Sequence, residues 1–249
     1  MLTQPILDKL SALRLPGFRR ALEEQREMAH YGELSFEERL GLLVDREWTR
    51  RENNRFQRIL KAARFHQQAS IEDLDLSPSR GLERRVVLEL AESQWVRQHL
   101  NAIVLGPTGA GKTYLACALG HAACRQNFSV RYVRTSRLLD EITHAHADGS
   151  YPKLLHTLAR AELLILDDWM RDPLTAKQTR DLLEVLDDRY GRRSTLLAGQ
   201  VPVAEWHSRF PDPTLADAIL DRLVHNAYRL ELRGESQRKT RSPLAMANT

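Results

Sequence analysis

The sequence predicts an α/β fold, a parallel β-sheet flanked by helices and preceded by a small all-helical N-terminal domain. Three observations carry that expectation. Gly106-Pro107-Thr108-Gly109-Ala110-Gly111-Lys112-Thr113 spells G-x-x-x-x-G-K-T between the apolar run Ala102-Ile103-Val104-Leu105 and an Ala/Leu-rich stretch, Leu115 to Ala123. Downstream of it, short apolar runs alternate with helical stretches, the pattern of a parallel sheet covered on both faces. Upstream, residues 1 to about 68 contain no strand-like alternation at all.

The glycine-rich segment has the strand-to-helix context that a phosphate-binding loop needs. Its glycines let the backbone curl so that N–H groups converge, and the following helix adds its unpaired donors and positive dipole end. A nucleoside triphosphate with Mg²⁺ is the expected occupant of residues 106–113 and the adjoining Tyr114. Lys112 would reach the β- and γ-phosphates and Thr113 would ligate the metal.

The chain has room for one core and an appendage. Charged residues make up 28% and hydrophobic ones 42%, the balance of a globular protein. No apolar run approaches the roughly 18 residues of a membrane span, and Asp8, Lys9 and Arg14 break any signal-like start. A cytoplasmic protein without a membrane role is expected. Cys117 and Cys124 fall on one helix face, as buried small hydrophobes rather than a disulfide or metal pair. His144 and His146 form an H-x-H without further ligands nearby, the pattern of a solvated helix end.

In the N-terminal part, Leu15-Pro16-Gly17 and Tyr31-Gly32 separate helices. Ser35 and Glu38 fit a capping box that opens a long helix running to about Gln68. Arg46, Arg50, Arg51, Arg55, Arg58, Lys61 and Arg64 oppose only Glu47 and Glu52 in that span, a local excess of 7 − 2 = +5. Such a stripe is either a solvated face or a contact for nucleic acid or another acidic partner. The net charge of +4 and pI near 9.2 leave both open. Ser70 to Gly81 breaks the helical pattern, dividing the chain into domains 1–70 and 71–249.

Within the second domain the elements follow in order: a helix near Leu82 to Leu90, strand 102–105, the loop and its helix, strand Val130–Val133, helices Ser136–His146 and Lys153–Arg160, and strand Leu163–Leu166. That last strand runs into Asp167 and Asp168. After a buried strand two acids can cap the next turn. With a phosphate loop upstream, Asp167 instead suits the Mg²⁺ site and Asp168 the activation of an attacking water. A helix from Leu174 to Tyr190, strand Thr195–Ala198, helix Leu215–Asn226 and a strand-like Tyr228–Leu232 complete the pattern. Gln200, just beyond the third apolar strand, is either an ordinary loop residue, as a polar residue after a strand usually is, or a group that senses water or the γ-phosphate.

Taken together, GPTGAGKTYLACAL, LLILDDW, AGQVPVAEW, DPTLADAILDRLVHNAYRLEL and GESQRK resemble the IstB family, the AAA+ ATP-binding helpers of insertion-sequence transposition, related to DnaC-type helicase loaders. LRLPGFRRALEEQ and LSFEERLGLLVDREWTRRENNRF are similar to that family's helical N-terminal domain, so the likeness spans nearly the whole chain. The resemblance implies an AAA+ P-loop NTPase core in an ATP-dependent, Mg²⁺-dependent ATPase. It implies a homo-oligomer, ring or spiral, that binds double-stranded DNA and presents it to a cognate transposase. On matching positions it makes Gln200 sensor I, Arg222 of Asp221-Arg222-Leu223 the arginine finger, and Arg238 the sensor II arginine. The stretch after Leu232 is short for the helical lid of larger AAA+ proteins. Candidate DNA contacts are Arg50, Arg51, Arg55 and Arg58, with Arg137 and Lys153 on sheet-flanking helices. A replicative helicase loader is the alternative; a small-molecule kinase and a non-hydrolysing ATP-binding regulator are more distant ones.

Overall fold

The computed structural model of the chain describes residues 3–234. It divides into two compact units, residues 1–58 and 59–249, rather than at the expected residue 70. The turn-rich stretch 70–81 marks where regular structure lapses, but the chain has joined the second unit before it gets there.

The first unit holds α1 (Thr3–Ala12), α2 (Pro16–Glu27) and most of α3 (Phe36–Ala63). The capping box at the head of α3 is formed: Ser35 N–H donates to Glu38 at 2.8 Å, and Glu38 N–H to the Ser35 hydroxyl at 3.2 Å. The helix ends at Ala63, short of the expected Gln68. Pro16-Gly17 does not simply separate helices but starts α2, with Pro in its first turn, where its missing N–H costs nothing. The N–H groups of Gly17 and Phe18 at that start donate to the Glu47 carboxylate of α3 at 2.8 and 3.3 Å. A Cβ on Gly17 would come within 2.8 Å of the same carboxylate. Arg50 and Arg51 hold Glu47 from the other side, at 2.6 and 2.8 Å. These bonds, Arg50 foremost, offset burial and hold the Glu47 carboxyl down at about 2. Two arginines of the predicted basic stripe are thus occupied within their own unit, and Arg46 pairs with Glu24. Arg55 and Arg58 are exposed.

The second unit is a five-stranded, all-parallel sheet in the order β2 (Val130–Arg134), β3 (Leu163–Trp169), β4 (Ser194–Gly199), β1 (Asn101–Leu105), β5 (Ala227–Glu231). The strands read as apolar runs because both faces are covered. Packed around them are α4 (Arg84–Ala91), the short α5 (Gln94–Arg97), α6 (Lys112–Arg125), α7 (Thr135–Asp148), α8 (Tyr151–Arg160), α9 (Ala176–Arg189) and α10 (Pro213–Val224). Every expected strand is present, and α5 is an addition. Cys117 and Cys124 are buried on α6, and burial raises their thiols to about 11 and 12, so neither ionises near neutrality. His146 stacks on Tyr151 and meets Asp181 at 3.0 Å, and among the described residues no cluster of three or more His, Cys, Asp or Glu could hold a metal.

Sheet order decides where the site forms. β4 lies between β1, which launches the glycine-rich loop, and β3, which delivers Asp167, so the ends of all three strands converge. A bulge at Asp167/Trp169 shifts the β3–β4 register there and leaves Asp168 with φ +54°. Gly199 accommodates the bulge, because a Cβ would lie 2.7 Å from the Trp169 carbonyl oxygen.

Two outcomes follow for stability. The folded Glu47 carboxyl titrates below its ordinary 4.5, so its contribution is complete above that pH and is lost as pH falls from about 4.5 towards about 2. Glu47→Gln should remove much of this dependence and accelerate amide exchange at Gly17 and Phe18, read by hydrogen-exchange mass spectrometry on the full chain. Gly199→Ala should cost about 1–3 kcal/mol in chemical denaturation, since backbone must move to admit the methyl.

Candidate active site

Gly106, Gly109 and Gly111 all have positive φ, at 151°, 81° and 96°. Gly106 is required for a second reason. The chain leaving β5 crosses beneath it, with Leu232 N–H bonded to the Leu105 carbonyl at 2.7 Å, and a Cβ on Gly106 would lie 2.6 Å from the Leu232 carbonyl oxygen. Gly111 forms the N-cap of α6, so the helix's unpaired N–H groups open into the loop's concavity. The loop lines a cavity of about 670 Å³ whose wall includes Thr108, Lys112, Thr113, Tyr114, Asp168 and Gln200. Residues chosen from separate stretches of sequence therefore meet in one place.

Lys112, only 8% exposed, donates to its own loop at the Pro107 carbonyl, 2.9 Å away. The Thr113 hydroxyl donates to Asp167 Oδ2 at 2.8 Å. A hydroxyl and a carboxylate so close, beside a phosphate-binding loop, form a hard, all-oxygen donor set that fits Mg²⁺. Asp167 is 2% exposed and its charge is met by three donors: Thr113, the Tyr132 hydroxyl at 2.7 Å and the N–H of Asp168 at 3.0 Å. Asp168 points elsewhere, because the left-handed backbone at that residue turns it towards the open cavity. It sits 3.8 Å from Arg134 Nε, and Arg134 in turn reaches His66 at 3.1 Å. Gln200 accepts from the Thr108 hydroxyl at 2.7 Å, which ties the end of β4 to the loop.

Part of the site was not foreseen. The stretch between α3 and α4, expected to be a domain boundary, forms one wall of the cavity with His66, Asp73, Asp75, Arg80 and Leu82. It is anchored to α6 by Ala69 N–H on His121 and Ser70 N–H on Tyr114, both at 3.3 Å. Arg80 is 6% exposed and donates to the Ala110 carbonyl at the tip of the loop. Arg134 and Arg171 add further positive charge to the lining. In the sequence only Arg80, the one base in the turn-rich stretch 70–81, could have signalled it.

Arg222 lies outside this cavity. It pairs with Asp187, donates to the Ala218 carbonyl at 2.6 Å and stands over the Tyr190 ring, in a second pocket lined also by Asn101 and Thr195. Arg137 and Lys153 are exposed on α7 and α8. Arg238 is outside the described residues.

Comparison with known proteins agrees with this geometry. The family described as IstB-like ATP binding protein matches residues 8–245. The insertion-sequence ATP-binding protein y4pL of Sinorhizobium fredii is 47% identical over 96% of this chain and 98% of its own length. That of IS1162 from Pseudomonas fluorescens is 49% identical over 81% of this chain and 88% of its own. Among solved structures, AMPPCP-bound DnaA from Aquifex aeolicus aligns at a TM-score of 0.58 and 16% identity, over 73% of this chain and 57% of that one. The DnaC helicase loader aligns at 0.51 and 19%, over 71% and 99%. These likenesses establish an AAA+ P-loop core, and no helix among the described residues is long and apolar enough to cross a membrane. The chain belongs to the IstB-like ATP-binding protein family, as an AAA+ ATPase associated with insertion sequences.

Proposed function

We propose that this chain oligomerises on double-stranded target DNA, as a ring or spiral, and presents it to a cognate transposase, hydrolysing ATP at a site shared between neighbouring subunits. One observation carries the shared site: Lys112, Thr113 and Asp168 line one cavity, with Asp167 bonded to Thr113, whereas Arg222 lines a different pocket. In this reading Arg222 completes the cavity of the next subunit.

The loop amides and Lys112 grip the triphosphate, the ammonium exchanging the Pro107 carbonyl for phosphate oxygens. Thr113 and Asp167 hold Mg²⁺, which when bound neutralises phosphate charge and orients the terminal group. Asp168 accepts the proton of the attacking water, Gln200 helps to orient that water, and the neighbour's Arg222 offsets charge spreading onto the transferred phosphoryl. Arg238, which lies outside the described residues, keeps the sensor II role that the family resemblance implies.

The relatives at 47% and 49% identity are named for insertion sequences, which favours transposition over helicase loading; the likeness to DnaC is one of fold. In the helical domain, Phe36, Leu40, Val44 and Trp48 recur every four residues along α3 and are exposed, which supports a self-association role. With Arg50 and Arg51 turned to Glu47, the DNA contacts fall to Arg55 and Arg58, and to Arg137 and Lys153.

Arg222→Ala should leave ATP binding intact and lower hydrolysis by DNA-bound assemblies by about 10³–10⁵, whereas Lys112→Ala should lose nucleotide. Unchanged hydrolysis in the Arg222 variant would rule out the shared site. Duplex affinity should fall steeply with salt, with a slope near −0.9 per phosphate neutralised, and a flat response in filter binding would contradict DNA contact.

A further inference from the structure

Tyr132 has no assigned part in this chemistry, yet its hydroxyl donates at 2.7 Å to Oδ2 of Asp167, the same oxygen that Thr113 reaches at 2.8 Å. We propose that Tyr132 is a positioning residue for the Mg²⁺ site, fixing the Asp167 carboxylate from β2 so that it faces the nucleotide in one orientation. The inference rests on the reading of Asp167 as the metal-holding acid.

Nothing in the packing of β2 itself calls for a hydroxyl. Tyr132 is 6% exposed, and an apolar residue would fill such a position without a hydroxyl to satisfy. The ring is held by the neighbouring imidazole of His66, stacked at 6.5 Å and 13°, and by Phe65 at 6.4 Å. Its hydroxyl therefore arrives at Asp167 on a fixed arm.

A carboxylate offers about four lone-pair directions over its two oxygens. Oδ2 carries two donors, Thr113 and Tyr132, while Oδ1 carries one, the N–H of Asp168. Spare acceptor capacity is thus greater on Oδ1. The residue's main chain is fixed from the same side, because the hydroxyl of Thr135, the first residue of α7 directly after β2, donates to the Asp167 carbonyl at 3.0 Å. Groups two layers from the phosphates that orient a metal ligand in this way commonly change metal affinity 10–100-fold when removed.

The test measures nucleotide affinity by fluorescence with mant-ATP on the full chain, once in excess Mg²⁺ and once in EDTA. By linkage, the ratio of the two reports how tightly the protein–nucleotide complex holds the metal relative to nucleotide alone. For Tyr132→Phe the ratio should fall about 10–100-fold while affinity in EDTA stays within about twofold; the EDTA arm doubles as a check that the loop is still folded. A purely packing role for the phenol would leave the ratio unmoved. If Asp167→Asn abolishes the Mg²⁺ enhancement but Tyr132→Phe retains it, the positioning role is wrong and the metal reading stands. If neither variant alters the ratio, Asp167 does not hold the metal, and the inference falls with that reading.

Discussion

The site depends on one buried negative charge. Asp167 ends a strand covered on both faces, where a polar group needs partners, and its three donors come from different parts of the fold: the loop through Thr113, β2 through Tyr132 and its own chain through Asp168. That single carboxylate therefore couples the phosphate loop to the central sheet. The bulge that gives Asp168 its left-handed backbone and the glycine at 199 that admits the bulge serve the same end. They let two adjacent acids face different directions, one inward to the hydroxyl of Thr113 and one outward to the cavity.

Charge in the cavity is arranged for a polyanion. Lys112, Arg80, Arg134 and Arg171 line it, while Asp75 and Asp168 lie 3.8 Å from Arg80 and Arg134 respectively. Lys112 rests on a carbonyl of its own loop, a neutral partner that it can leave at small cost when phosphate offers a charged one. Arg222 has a comparable resting place. Its partner Asp187 is 47% exposed, and a surface pair of that kind contributes about 0–1 kcal/mol. In the proposed assembly such a pair is readily exchanged for the phosphate of a neighbouring subunit.

The phosphate loop, the strand ending in Asp167 and Asp168, and the alternating strand and helix pattern were legible in the sequence because each is written in contiguous residues with a period or spacing of its own. Tyr132, Arg80 and Arg134 were not, since their roles arise from chain segments that are distant in sequence and adjacent only in the sheet. Turn residues between 70 and 81 announced a break in helix but not the wall they build over the loop. The arithmetic of the basic stripe could not reveal that Glu47, held by Arg50 and Arg51, seals the start of α2. The positive φ of Asp168 has no signature in local composition either.

The central claim is that each cavity is completed by a neighbour, and subunit mixing tests it most directly. Asp168→Asn removes the acid proposed to activate water and keeps an intact Arg222; Arg222→Ala keeps an intact cavity. Each assembled alone on duplex DNA should be nearly inactive. Mixed in equal amounts they should recover a substantial fraction of parental hydrolysis, because some interfaces then pair an intact cavity with an intact arginine. Mixtures no more active than either variant alone would contradict the account.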